Sequence, residues 1–174
     1  MRKWCGVLAG VLLALATVQA QQRPEFVVAR TSQAPRIDGV LDDEVWNGAP
    51  LVLGDWLSYN PLYGQAMQNA TEVHVAYDDR YIYFAFHCLD TDPNRIRTTL
   101  SRRDSAFNDD WIGLSLDAAG NGQTAYHLLS NPSGVQMDAL QTAASGEKYE
   151  ADFVWDSAGK IVADGYIVEM RVPL

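Results

Sequence analysis

The sequence predicts an all-β protein, an antiparallel β-sandwich of jelly-roll type, and three observations point there. Short segments alternate apolar and polar residues with a period of two, as a strand with one buried face does. Gly, Asn, Asp and Pro separate those segments, and these residues accept or favour the backbone angles of tight turns. Few stretches carry the longer helical period, and no internal repeat, coiled coil or low-complexity tract interrupts the pattern.

The chain opens on Met1-Arg2-Lys3-Trp4, a positively charged start. An uncharged apolar run over residues 7–18 follows, and Val18-Gln19-Ala20 offers small residues where a signal peptidase reads, so cleavage is expected after Ala20. The run is too short to span a bilayer, which needs about 20 apolar residues. Residues 1–20 therefore read as a signal peptide, and the protein as exported: periplasmic, outer-membrane-associated or secreted. Cys5 lies too early for a lipoprotein cleavage box and leaves with the signal. Residues 21–33 are a polar lead with one apolar patch, and residues 34–174 have the length of one domain with its own core.

Without Arg2 and Lys3 the 13 basic residues fall to 11, against 22 acidic ones. Nucleic acid and anionic membrane surfaces would be repelled by such a charge, and no membrane span is expected within the chain. Of the 2 cysteines only Cys88 survives cleavage, so no intrachain disulfide forms. Its position in phase with Ile82, Phe84 and Phe86 makes it a buried, inert thiol.

In order along the domain, Pro35-Arg36-Ile37-Asp38-Gly39 leads into a turn, and Asp42 is placed to cap one helical turn carrying Val45 and Trp46 inward. This stretch reads as a structural lid. Residues 50–70 read as a strand and a long loop rich in aromatics. Residues 71–77 and 81–89 form a hairpin, with Val73, Val75 and Tyr77 facing one way and Glu72, His74 and Ala76 the other. A tight turn at Asp79-Arg80 sets Ala85 opposite His74 and His87 opposite Glu72. Residues 96–107, charged and weakly patterned, are a loop or short helix.

Residues 108–117 then stand out, and the chain reads as organised around them. Ile112, Leu114 and Leu116 form a buried face, while Trp111, Gly113 and Ser115 share the other. A flat polar face bearing an aromatic suits a sugar ring, and the acidic rims can offer a hard cation carboxylate oxygens. Beyond this strand, Gly120-Asn121-Gly122 is a turn, residues 124–130 a strand, and residues 135–142 a continuation of the sheet. Residues 143–147 read as an exposed loop. Residues 153–162 and 166–172 flank a hairpin turn at Ala163-Asp164-Gly165.

The motif Pro35-Arg36-Ile37-Asp38-Gly39-Val40-Leu41-Asp42-Asp43, closed by Trp46, resembles the opening of the family 9 carbohydrate-binding modules. The hairpin around residues 77–83, the segment 110–117 and the ending Asp164-Gly165-Tyr166-Ile167-Val168-Glu169 are similar to that family in the same order. The resemblance covers residues 34–174 and implies an antiparallel sandwich, often with structural calcium. Asn131-Pro132-Ser133-Gly134-Val135-Gln136 resembles a subgroup at the N-terminus of larger exported bacterial proteins, with an outer-membrane β-rich region following. The family resemblance implies that Phe107 falls where sugar-binding members carry one tryptophan of a two-ring clamp. It sets Gly113 where they carry a sugar-bonding glutamate, and His127 near a sugar-binding arginine. All three differ from the family pattern, and the second clamp residue would lie beyond Leu174.

Candidate sugar-binding residues are thus Phe107, Trp111, Gly113, His127 and Trp56, with Tyr59, Tyr63 and Trp155 as further aromatics. Candidate calcium ligands are Asp109, Asp110, Asp117 and Asn121. A less compact alternative is zinc on His74, His87 and His127 with Glu72. No nucleophile elbow, phosphate-cradling loop or distinctive carboxylate pair suggests catalysis. The expected function is non-catalytic carbohydrate binding within a larger exported polypeptide, one linked to polysaccharide breakdown. The alternative is a periplasmic structural module that has lost its sugar site. The strand over residues 166–172 runs into Val172-Pro173-Leu174, so it is expected to be an uncovered edge of an incomplete sandwich, prone to self-association.

Overall fold

The computed structural model of the chain describes residues 25–58, 63–67 and 69–174. Its strands are β1 (Ala29–Arg30), β2 (Thr71–Tyr77), β3 (Tyr81–Leu89), β4 (Ile112–Leu116) and β5 (Thr124–Ser130). They continue with β6 (Gln136–Thr142), β7 (Gly146–Lys148), β8 (Asp156–Val162) and β9 (Gly165–Pro173). A larger sheet has the order β1-β2-β3-β9-β8 and a smaller one the order β4-β5-β6-β7. Every named pair is antiparallel except β1 with β2. The only helical pieces among the described residues are two 3-10 turns, Glu44–Trp46 and Pro93–Arg95. The predicted antiparallel sandwich is what the chain forms.

Alternation along each strand sorts side chains into the interior and the two outer faces. Val73, Phe84, Phe86 and Cys88 from the larger sheet meet Val168 and Met170 of its own β9 and Leu128 of the smaller sheet in one buried cluster. Ile112, Leu114 and Leu116 of β4 pack against it, as the period-two reading requires. Burying each large side chain stabilises by about 1.5–3 kcal/mol. Burial also pushes the Cys88 thiol up, so it stays protonated and inert.

Each outer face carries its own cover. On the larger sheet the segment from Ile37 to Trp46 packs on Ala76, Tyr83 and Ala85, which confirms the lid. Its anchor is Glu169, wholly buried, whose carboxylate accepts hydrogen bonds from the amides of Asp38 (3.0 Å) and Gly39 (2.8 Å) and from Trp46 Nε1 (2.9 Å). Asp38 Oδ1 takes the Val40 amide, and Gly39 sits at φ +78°, so this turn needs glycine. Asp42 does not cap the helical turn. Asp43 holds the cap position, and its side chain accepts the Arg36 amide instead. On the smaller sheet the loop over residues 96–110 covers part of the outer face, where Ala106 packs with Val135, Met137 and Leu129.

The hairpin of β2 and β3 has the predicted register, His74 opposite Ala85 and Glu72 opposite His87. β4 is an edge strand, paired among the described strands with β5 alone. Two expectations need correction. Gly146 and Glu147, expected at the end of an exposed loop over residues 143–147, instead belong to β7 against β6. Strand β9 is not an uncovered edge: β3 and β8 flank it, and its hydrogen-bonding groups are used on both sides. At one end the sheets part, and Leu116, Tyr126, Phe153, Trp155, Val172 and Pro173 line an apolar cleft of about 400 Å³.

Candidate functional site

The outer face of the smaller sheet is where the chemistry gathers. Cross-strand register sets Gly113 against Leu129, and Ser115 against His127, which pairs in turn with Ala139. Gln141 of β6 lies opposite Glu147 of β7. All these residues share the outward phase, as does Trp111 at the entrance to β4. Gly113, Ser115 and Leu129 form the floor, and larger side chains rise around it. The result is a cleft of about 380 Å³ lined by Phe107, Trp111, Gly113, Ser115, His127, Leu129, Glu147 and Tyr149.

Aromatic rings form the walls. Trp111, Phe107 and Tyr149 are 46, 40 and 41 % exposed, enough to offer ring surface to a ligand. Tyr149 meets Phe107 edge to face, with centroids 5.1 Å apart and planes at 81°. The Tyr149 hydroxyl donates to Glu147 Oε2 at 2.7 Å, and that bond raises the phenol's pKa. His127 Nε2 lies 2.7 Å from Gln141 Oε1. That oxygen can only accept, so the imidazole donates from Nε2, and its Nδ1 lies 3.9 Å from Glu147 Oε1.

Hydrogen bonds on both sides of Phe107 hold the loop that carries it. Asp138 is wholly buried, yet it takes hydrogen bonds from Arg103 Nε (2.8 Å) and Nη2 (2.5 Å), the Phe153 amide (2.8 Å) and Trp155 Nε1 (3.1 Å). Burial would raise its carboxyl, but these donors outweigh burial and hold it below the usual carboxylate range. Arg103 Nη1 also donates to Gln136 Oε1, and the Asp104 amide to the Gln136 carbonyl. Asn131 works from the other side. Its side chain donates to the Thr99 carbonyl and to Asp109 Oδ2, both at 2.8 Å, and accepts the amides of Ser133 and Val135.

Of the predicted sugar residues, the structure brings Phe107, Trp111, Gly113 and His127 together in this cleft. Trp56 is elsewhere: its indole donates to the Thr71 carbonyl and its ring packs on the core between the sheets. Trp155 is buried on Asp138, Tyr63 is exposed outside the cleft, and Tyr59 lies outside the described residues. Sequence reasoning misses Glu147 and Tyr149. Their signal is the outward phase that they share around Lys148, which the expectation of a loop hides.

The calcium candidates do not form one site. Asp109 and Asp110 precede β4 while Asp117 and Asn121 follow it, at opposite ends of a strand 5 residues long. Each already accepts protein donors. Asp109 Oδ2 takes the Thr99 amide and hydroxyl, Asp110 Oδ2 the Arg97 amide, Asp117 Oδ2 the Gly122 amide and Asn121 Oδ1 the Gln123 amide. The Asn131 side-chain amide, ahead of Thr99, holds the Asp109 carboxyl below its ordinary range, and the Gly122 amide does the same for Asp117. Among the described residues, Asp104, Asp138 and Asp152 are grouped closely enough for a metal, but Asp138 is saturated by Arg103 and its other donors. The zinc grouping fails too, because His74 and His87 lie on the larger sheet and His127 on the smaller.

The sequence profile of the family described as Carbohydrate family 9 binding domain-like matches residues 37–174. Two similar solved structures are of a carbohydrate-binding module family 9 from Caldicellulosiruptor kristjanssonii, one in complex with glucose and one with cellotriose. Each is 18 % identical to this chain with a TM-score of 0.50. The alignments cover 84 % and 85 % of this chain and 67 % of theirs. None of the curated proteins compared with the chain matches it.

Proposed function

The chain belongs to the Carbohydrate family 9 binding domain-like family, and on that footing we propose that the cleft on its smaller sheet binds carbohydrate without catalysing a reaction. The observation that carries this is the convergence of Trp111, Phe107 and Tyr149 with His127 and Glu147 around Gly113, Ser115 and Leu129. A sugar presents an apolar ring face edged with hydroxyls, and such a cleft offers an aromatic surface edged with hydrogen-bonding groups. The complexes with glucose and cellotriose in structures of the same fold support this choice of ligand class. Hydrolysis of a glycoside uses two carboxyl groups about 5–9.5 Å apart, whereas Glu147 is the one carboxylate among the described residues lining this cleft.

Export belongs to the same proposal, supported by the charged start, apolar run and small-residue site over residues 1–20. So does service as one part of a larger exported polypeptide linked to polysaccharide breakdown. Isothermal titration against glucose, cellobiose, xylo-oligosaccharides and longer glucans tests the binding claim. Saturable binding at millimolar or lower concentration, weakened about 30-fold by Trp111→Ala, is expected, a loss typical of a central aromatic anchor. Silence across the panel would favour a purely structural module.

A further inference from the structure

Building on the carbohydrate-binding reading of the cleft, we propose that Glu147 selects sugars by charge, admitting neutral and amine-bearing rings and rejecting uronate-bearing ones. Among the described residues lining the cleft, no lysine or arginine stands against it. Its carboxylate is also built into the wall. One oxygen, Oε2, is fixed by the Tyr149 hydroxyl at 2.7 Å, and Tyr149 is itself braced edge-on against Phe107. The other oxygen, Oε1, remains directed toward His127.

The imidazole adds a second acceptor beside that oxygen. With Nε2 donating to Gln141, the neutral imidazole presents Nδ1 as an acceptor 3.9 Å from Glu147 Oε1. Two acceptors at that separation make no bond to each other. They call for donors between them, and a sugar's hydroxyl pair or ammonium group supplies donors. A uronate supplies acceptors and a like charge beside the Glu147 carboxylate, and like charges repel at close range. Among the described lining residues, none offers the bidentate cation that carboxylate recognition normally employs.

The test is isothermal titration at pH 7 with trisaccharides of one β-1,4-linked backbone, built from glucose, glucosamine or glucuronate, against wild type and Glu147→Gln. Wild type is expected to bind the glucose and glucosamine trimers at least tenfold more tightly than the glucuronate trimer. In Glu147→Gln the glucosamine-to-glucuronate ratio should fall toward one. The chain as a whole is acidic, with a formal charge of −9. A ratio that persists undiminished in a folded Glu147→Gln protein would therefore belong to the overall field and overturn the assignment to Glu147. Equal binding of all three trimers by wild type would overturn the inference while leaving carbohydrate binding intact. Absence of binding to every trimer would sink both. Glu147→Asp, which keeps the charge, should retain the discrimination, and its loss there would also count against the proposal.

Discussion

Among the described residues two acidic side chains, Glu169 and Asp138, lie wholly inside the molecule, and each is satisfied differently. Glu169 accepts only neutral N–H donors, from Asp38, Gly39 and Trp46, and burial pushes its carboxyl up despite them. Asp138 has Arg103 in bidentate contact, and its carboxyl is held low. A carboxyl depressed on folding binds fewer protons folded than unfolded. The stabilisation from Asp138 is therefore present above the ordinary value of about 3.9 and fades as pH falls through the folded value. Thermal melts from pH 7 to 3 should thus show stability lost below about pH 4. Arg103→Ala removes the compensating charge and should cost on the order of 3 kcal/mol at pH 7. It should also reverse the local trend, because an unpaired buried carboxyl titrates above its unfolded value and gains stability on acidification. An Arg103→Ala protein whose melting temperature and acid profile match wild type would refute this role. Neither buried acid is legible in the sequence, since Glu169 sits in the outward phase of β9 and only the lid turns that face into interior.

At the scale of elements, β4 shows what a strand reveals alone and what it withholds. Its inward and outward faces follow from local alternation, and Trp111 and Gly113 lie on the outer face as that alternation requires. Its position at the edge depends on pairing between distant segments, which alternation does not encode. The hairpin register is legible because the turn at Asp78 to Arg80 fixes it; Asp78 Oδ1 accepts the amides of both Arg80 and Tyr81. Strand β7, at 3 residues, is too short to show a period. Gly113 yields a sharper prediction. A Cβ there would come within 2.8 Å of Leu129 Cγ and 2.9 Å of the Leu128 carbonyl oxygen, and that oxygen is fixed in the ladder. Restoring the glutamate that resemblance places here should therefore destabilise the protein. Gly113→Glu and Gly113→Ala should each lower stability by about 1–3 kcal/mol in urea titrations. Wild-type stability in both would contradict the close packing of β4 on β5.

At the scale of the whole molecule, the two outer faces divide the labour. The larger sheet is covered by the lid from Ile37 to Trp46 and tied to it through Glu169. The smaller sheet is only partly covered, and its open part is the cleft. Sequence alone does not sort aromatics between these fates, which is why the candidates Trp56 and Trp155 prove to be packing residues. The separated, amide-bonded carboxylates around β4 carry a prediction as well. A native-state ligand stabilises by mass action, so removing one lowers the melting temperature. With Asp109, Asp110, Asp117 and Asn121 each engaged by protein donors, chelation in metal-stripped buffer should leave the melting temperature unchanged. A drop of several degrees would reveal a metal-binding arrangement these bonds do not suggest.

The indole N–H signals of the tryptophans test the binding cleft most directly, because structure gives each a distinct environment. Those of Trp46, Trp56 and Trp155 are bonded internally to Glu169, the Thr71 carbonyl and Asp138. Trp111 alone among the described tryptophans lines the cleft. Titrating cellotriose into isotopically labelled protein and following these signals by nuclear magnetic resonance should move the Trp111 indole saturably and leave the other three in place. An unmoved Trp111 signal, or saturable movement confined to Trp46, Trp56 or Trp155, would contradict the assignment of the sugar site to the outer face of the smaller sheet.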